Sequence, residues 1–159
     1  MKRWLGKIRS CIATVALVSS SAGSLAVIVS SGSNNPLAFA WSYNTGLSLL
    51  TGAGSMTFSG FNGSALSVNV TLSNTSALAS DKLIAFGFGI DSDATGAGFG
   101  DALDGGIVDG AVSGGTNLGN GAIVEVCVWA GANGQSDING GIASGSSDSF
   151  AVILGGIQR

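Results

Sequence analysis

The side chains best placed by type and spacing to do chemistry are acidic. Asp91 and Asp93, followed by Thr95 and Gly96, open like a calcium loop, in which carboxylates at positions 1 and 3 and a glycine at position 6 wrap oxygen ligands round the ion. Position 12, where an EF-hand carries its bidentate acid, is Ala102; Asp101 falls one residue early and Asp104 two residues late. An EF-hand is therefore excluded. A solvated acidic loop is the default for these residues, and a looser calcium site joining Asp91, Asp93, Asp101 and Asp104 is the alternative, since an ion would relieve repulsion among acids with no base nearby. Glu125 with one of the aspartates would supply the carboxylate pair of a glycosidase, two acids about 5 to 9 Å apart. Nothing in their sequence spacing supports that pairing. The chain has no histidine and no Gly-x-Ser-x-Gly elbow, so Ser-His-Asp and Cys-His hydrolases and His-ligated metal centres are removed together. No enzymatic activity is expected. Trp41, Tyr43 and Trp129 have rings suited to stacking on sugars, although aromatics of a small β domain more often fill its core. Asn62, Asn69 and Asn74 head matches to the N-glycosylation sequon.

The start of the chain supplies a destination. Lys2, Arg3, Lys7 and Arg9 are four of the six basic residues, and an apolar run from Cys11 to Val18, serines, and a second apolar cluster from Leu25 to Val29 follow them. Ala38-Phe39-Ala40 then has the small-x-small form of a leader cleavage site. Residues 1–40 are expected to be a signal peptide, cut after Ala40, and 41–159 a single domain; Ser20-Ser21-Ala22 offers a second site with small residues at suitable offsets. The apolar stretch is too interrupted by serine and glycine to be a good spanning helix, so no stable membrane span is expected. Past residue 40 there are nine acids against Lys82 and Arg159, a formal charge of −7. Such a chain has no basic surface with which to displace phosphate counterions, and nucleic acid is ruled out as a partner. Only Cys127 of the two cysteines lies in this part, so it is either an inert buried thiol or a possible intermolecular thiol for pairing with another chain.

These residues must be positioned by strands. Leu66, Val68, Val70 and Leu72 alternate with Ser67, Asn69, Thr71 and Ser73, the period of a strand with one face in a core and one in water. Ile84 to Ile90, Ile123 to Trp129 and Phe150 to Leu154 repeat the pattern, and Ile107 to Val112 does so weakly. Met56 and Phe58, preceded by Leu47 to Leu50, predict an opening hairpin with Gly52-Ala53-Gly54 as its turn and Phe61 to Ser64 as the next turn. No segment past residue 40 has a helical apolar stripe. The reading is all-β and antiparallel, a β-sandwich or jelly-roll-like domain of about seven to nine strands. Its glycine-rich stretches, Asp91 to Gly106 and Gly131 to Gly141, read by default as solvated connections, with a binding surface as the alternative, since loops on a rigid sandwich are where recognition usually sits.

Four phrases, Leu72-Ser-Asn-Thr-Ser76 with Leu83-Ile-Ala-Phe-Gly-Phe-Gly-Ile-Asp91, Glu125-Val-Cys-Val-Trp-Ala-Gly131 and Gly141-Ile-Ala-Ser-Gly-Ser-Ser-Asp-Ser-Phe150, resemble exported bacterial proteins of the PEP-CTERM class, in particular the cistern-family group. The resemblance implies a secreted, β-rich, non-catalytic protein at the cell surface or in the extracellular matrix, associated with exopolysaccharide or other envelope proteins. The class ends in a Pro-Glu-Pro motif, an apolar helix and basic residues, whereas this sequence reads Ile157-Gln-Arg159 at its end. A tailless soluble relative and a piece of a longer chain both fit. The alternative function is a carbohydrate-binding module using exposed aromatics and the acidic loop. The two differ in what one face presents: at least two solvent-exposed rings for the module, small polar residues and glycine for the matrix protein.

Overall fold

The computed structural model describes residues 36–44, 48–59, 61–62, 64–90, 94–99, 107–117, 123–130 and 140–157. They form ten strands: β1 (Leu37–Asn44), β2 (Leu49–Ser59), β3 (Ala65–Asn74), β4 (Lys82–Leu83), β5 (Ala85–Phe88), β6 (Gly96–Phe99), β7 (Val108–Asn117), β8 (Ile123–Ala130), β9 (Ile142–Ala143) and β10 (Ser147–Gly155). One sheet runs β1-β2-β3-β10-β6, a second β5-β8-β7, and β4 and β9 form a two-residue pair. Every pairing is antiparallel. The chain is thus all-β and sandwich-like, as its alternation predicts.

The core lies between the two larger sheets. Met56, Phe58, Val68, Val70, Leu72, Phe150, Val152 and Leu154 come from one, and Phe86, Val108, Val126 and Val128 from the other. Each row is one parity of its strand, because successive side chains point to opposite faces. β8 is the central strand of its sheet, and Val126 is fully buried. At one end the sheets meet where β6 lies against β7. At the other, β1 and β5 are held by rings: Phe39 stacks on Phe86 with centroids 5.3 Å apart, and Trp41 approaches the same ring at 6.4 Å.

One expectation changes. Gly52-Ala53-Gly54 is no turn, because β2 continues through it and pairs over its length with both β1 and β3. The glycines sit beneath aromatic rings of the neighbouring strand, Gly54 opposite Phe39 and Gly52 opposite Trp41. A Cβ on Gly54 would lie 2.6 Å from Phe39 Cζ, and one on Gly52 would sit inside the indole of Trp41. Gly110 and Trp129 repeat the arrangement in the other sheet, with 2.5 Å between such a Cβ and Trp129 Cζ2. Bare backbone in a strand leaves a gap that a cross-strand ring can cover. β1 runs across the expected boundary between 40 and 41, and its Leu37, Phe39 and Trp41 all pack on the core.

The Asn62 N–H donates to the Ala65 carbonyl at 3.1 Å. The Asn62 carboxamide oxygen accepts the N–H groups of Ser64 and Ala65, which closes the link from β2 to β3.

Candidate functional site

The strand parity that fills the core leaves a second surface on the five-stranded sheet. On β2 it presents Ser55, Thr57 and Ser59, on β3 Ser67, Asn69, Thr71 and Ser73, and on β10 Ser147, Ser149, Ala151 and Ile153. Register turns these into rows across the sheet: Ser55, Thr71 and Ser149 in one, Thr57, Asn69 and Ala151 in the next. Neighbouring hydroxyls bond to one another, Thr71 Oγ1 to Ser149 Oγ at 2.9 Å and Ser73 Oγ to Ser147 Oγ at 2.8 Å. β1 extends the surface with Ala38, Ala40 and Ser42, all exposed. No charged residue lies between Arg9 and Asp81, so β1, β2 and β3 are neutral throughout. The outcome is a broad face of hydroxyls, one carboxamide and apolar groups that are small except for the exposed Ile153, carrying no formal charge.

The acids do other work. Glu125 on β8 accepts the Ile90 N–H at 2.8 Å through one oxygen and the Ala94 N–H through the other, so both are occupied by main-chain donors that bracket the acidic loop. Asp148 on β10 accepts the N–H groups of Ile107 and Val108 at 3.0 and 2.8 Å, tying one sheet to the entry of β7 in the other. Among the described residues no three His, Cys, Asp or Glu side chains are grouped to hold a metal. Asp91, Asp93, Asp101 and Asp104, the expected calcium ligands, lie outside the described residues, as does most of the Gly131 to Gly141 loop.

The remaining predicted site residues are placed as follows. Cys127 is buried on the face of β8 opposite Val126 and Val128, beside Ala85. Ala38 and Ala40 are exposed on β1, opposite Ser55 and Ala53. Trp41 and Trp129 belong to different sheets, and each lies over a glycine. Among the described residues the exposed large apolar side chains are Leu49, Leu78, Val112 and Ile153, with no ring among them.

Asn74 is a structural residue that sequence reasoning took only for a sequon. It is buried, its amide donates to the carbonyls of Asp81 and Ile142, and its oxygen accepts the Ser76 N–H. The two-residue pair β4–β9 is joined to β3 by this one side chain. An asparagine ending a predicted strand before two more hydroxyl residues was the available signal.

An apolar crevice lined by Leu72, Ile84, Phe86, Val128, Trp129 and Ile142 is too tight to admit a water molecule and belongs to the core packing. No helix among the described residues is long and apolar enough to cross a membrane. Comparison of the chain with known protein families, with curated proteins and with solved structures finds no match.

Proposed function

We propose that this chain is a non-enzymatic exported protein of the cell surface or extracellular matrix, associated with exopolysaccharide or other envelope components through the outer face of its five-stranded sheet. The observation that carries the reading is the neutrality of that face. A surface of hydroxyls and carboxamide without charge hydrogen-bonds to sugar hydroxyls or to another neutral protein surface without desolvating an ion. The carbohydrate-binding module with an aromatic platform has less support, because Trp41 and Trp129 lie in different sheets, each over a glycine, and Trp41 packs on the core; the Tyr43 side chain lies outside the described residues. The basic start of the chain and the apolar runs after it support export. Processing upstream of Pro36, for which Ser20-Ser21-Ala22 is the candidate, leaves β1 whole.

The test pairs localisation with binding. Fractionation of the producing cells should place the chain in the extracellular matrix, and the purified chain should co-sediment with exopolysaccharide extracted from them. A variant carrying Asn69→Asp and Thr71→Glu, which charges the face without touching the core, should lose most of that retention. An intracellular location, or equal retention of wild type and variant, overturns the reading.

A further inference from the structure

We propose that two copies of this chain join edge to edge through β1, in an antiparallel pair about a two-fold axis that makes one continuous ten-stranded sheet from two five-stranded ones. β1 is the terminal strand of its sheet, and among the described residues no strand pairs with its far side. In an antiparallel ladder every second residue of such a strand turns its N–H and C=O away from its partner, so residues 37–43 present a row of donors and acceptors along the far side.

The edges of soluble sheets are ordinarily blunted by charge, proline, bulges or short length. β1 has none of these. It runs for eight residues, Leu-Ala-Phe-Ala-Trp-Ser-Tyr-Asn, in unbroken register with β2. The other edges are protected: β5 and β6 have four residues each, β6 lies against β7, and β7 contains Asp109 and two register shifts. Charge points the same way. Two copies of an acidic chain repel wherever their acids face one another, and the acids at described positions, Asp81, Asp109, Glu125 and Asp148, all lie outside β1, β2 and β3.

A strand of this kind is self-complementary, since two-fold pairing brings the same residues together from both copies and closes the assembly at two. The axis keeps inner faces with inner faces. Half-buried Phe39 and Trp41 of each copy therefore meet at the lip of the joined cores, while the small Ala38, Ala40 and Ser42 line the outer side. The pairing requires that β1 be kept in the protein as it exists, and so rests on processing upstream of Pro36.

The decisive measurement is the mass in solution of the purified chain, by sedimentation or light scattering, with its N-terminus fixed by mass spectrometry. Wild type should be a dimer at tens of micromolar. Ala40→Lys and Ala40→Glu, each placing a charge on the exposed side of mid-β1, should be monomers that melt as wild type does, and an equimolar mixture of the two should dimerise again. Hydrogen exchange of the unsubstituted protein gives a second readout: amides of β1 should slow at least tenfold between dilute and concentrated samples, while those of β6 stay unchanged. A monomeric wild type that retains residues 37–44, charged variants that remain dimeric, or β1 amides indifferent to concentration would each overturn the pairing. An N-terminus at Trp41 would overturn it together with the assumed processing, and the mass distinguishes that case from the others.

Discussion

Gly52 and Gly110 show how much one absent methyl group decides. Each is a glycine directly opposite a tryptophan, and the ring occupies the volume a Cβ would need. Gly52→Ala should therefore push the Trp41 indole off its seat and disturb its contact with Phe86, at the usual expense of overpacking, about 1 to 3 kcal/mol. Gly98 on β6 is the control. The nearest atom to its hypothetical Cβ is the Ile153 carbonyl oxygen at 3.8 Å, an ordinary contact, so Gly98→Ala should change stability by no more than about 0.5 kcal/mol. Thermal or denaturant unfolding of the two variants measures the contrast. Equal effects would mean that the aromatic cover contributes nothing beyond generic strand propensity.

At the scale of elements, β8 carries the second sheet, because β5 and β7 both depend on it for their hydrogen bonds. Val126 faces the core from its middle and is fully buried. Val126→Asp places an unpaired carboxylate there, and the domain should lose several kcal/mol from a total of about 5 to 15, enough to unfold much of the protein at room temperature. Val112→Asp on β7 serves for comparison, since that side chain is 40% exposed and its carboxylate stays in water. Circular dichroism of the pair should show loss of native signal for the first and its retention for the second. Survival of the first with a melting temperature within a few degrees of wild type would place β8 at an edge instead.

For the molecule as a whole the question is where the domain begins. A chain starting at Pro36 keeps β1 complete, whereas one starting at Trp41 lacks Leu37 and Phe39 and exposes the ring of Phe86 on which Phe39 stacks. The shorter chain should be less stable by at least the equivalent of a core phenylalanine, about 3 to 5 kcal/mol. Comparing the unfolding of the two purified chains tests this directly, and equal stability would restore Ala40 as an acceptable cleavage point.

Much of this architecture was legible before any coordinates. Period-2 alternation in Leu66 to Ser73, Ile123 to Trp129 and Phe150 to Leu154 placed three strands on their correct faces, because side-chain parity is a property of the strand itself and needs no neighbour. The same parity implied the hydroxyl face, since Ser67, Asn69, Thr71 and Ser73 had to point opposite the core. Roles that depend on register were hidden. Gly52 and Gly54 look like a turn until Trp41 and Phe39 are found across from them. Asp148 and Glu125 resemble surface acids until the amides they bind, some 30 to 40 residues away in sequence, are brought to them. Fold class, face and core rows are local consequences of alternating chemistry and follow from residue order alone. Which strand is the open edge and which glycines lie under rings are set in the folded chain, because both depend on pairing between distant segments that compete to bury the same apolar surface.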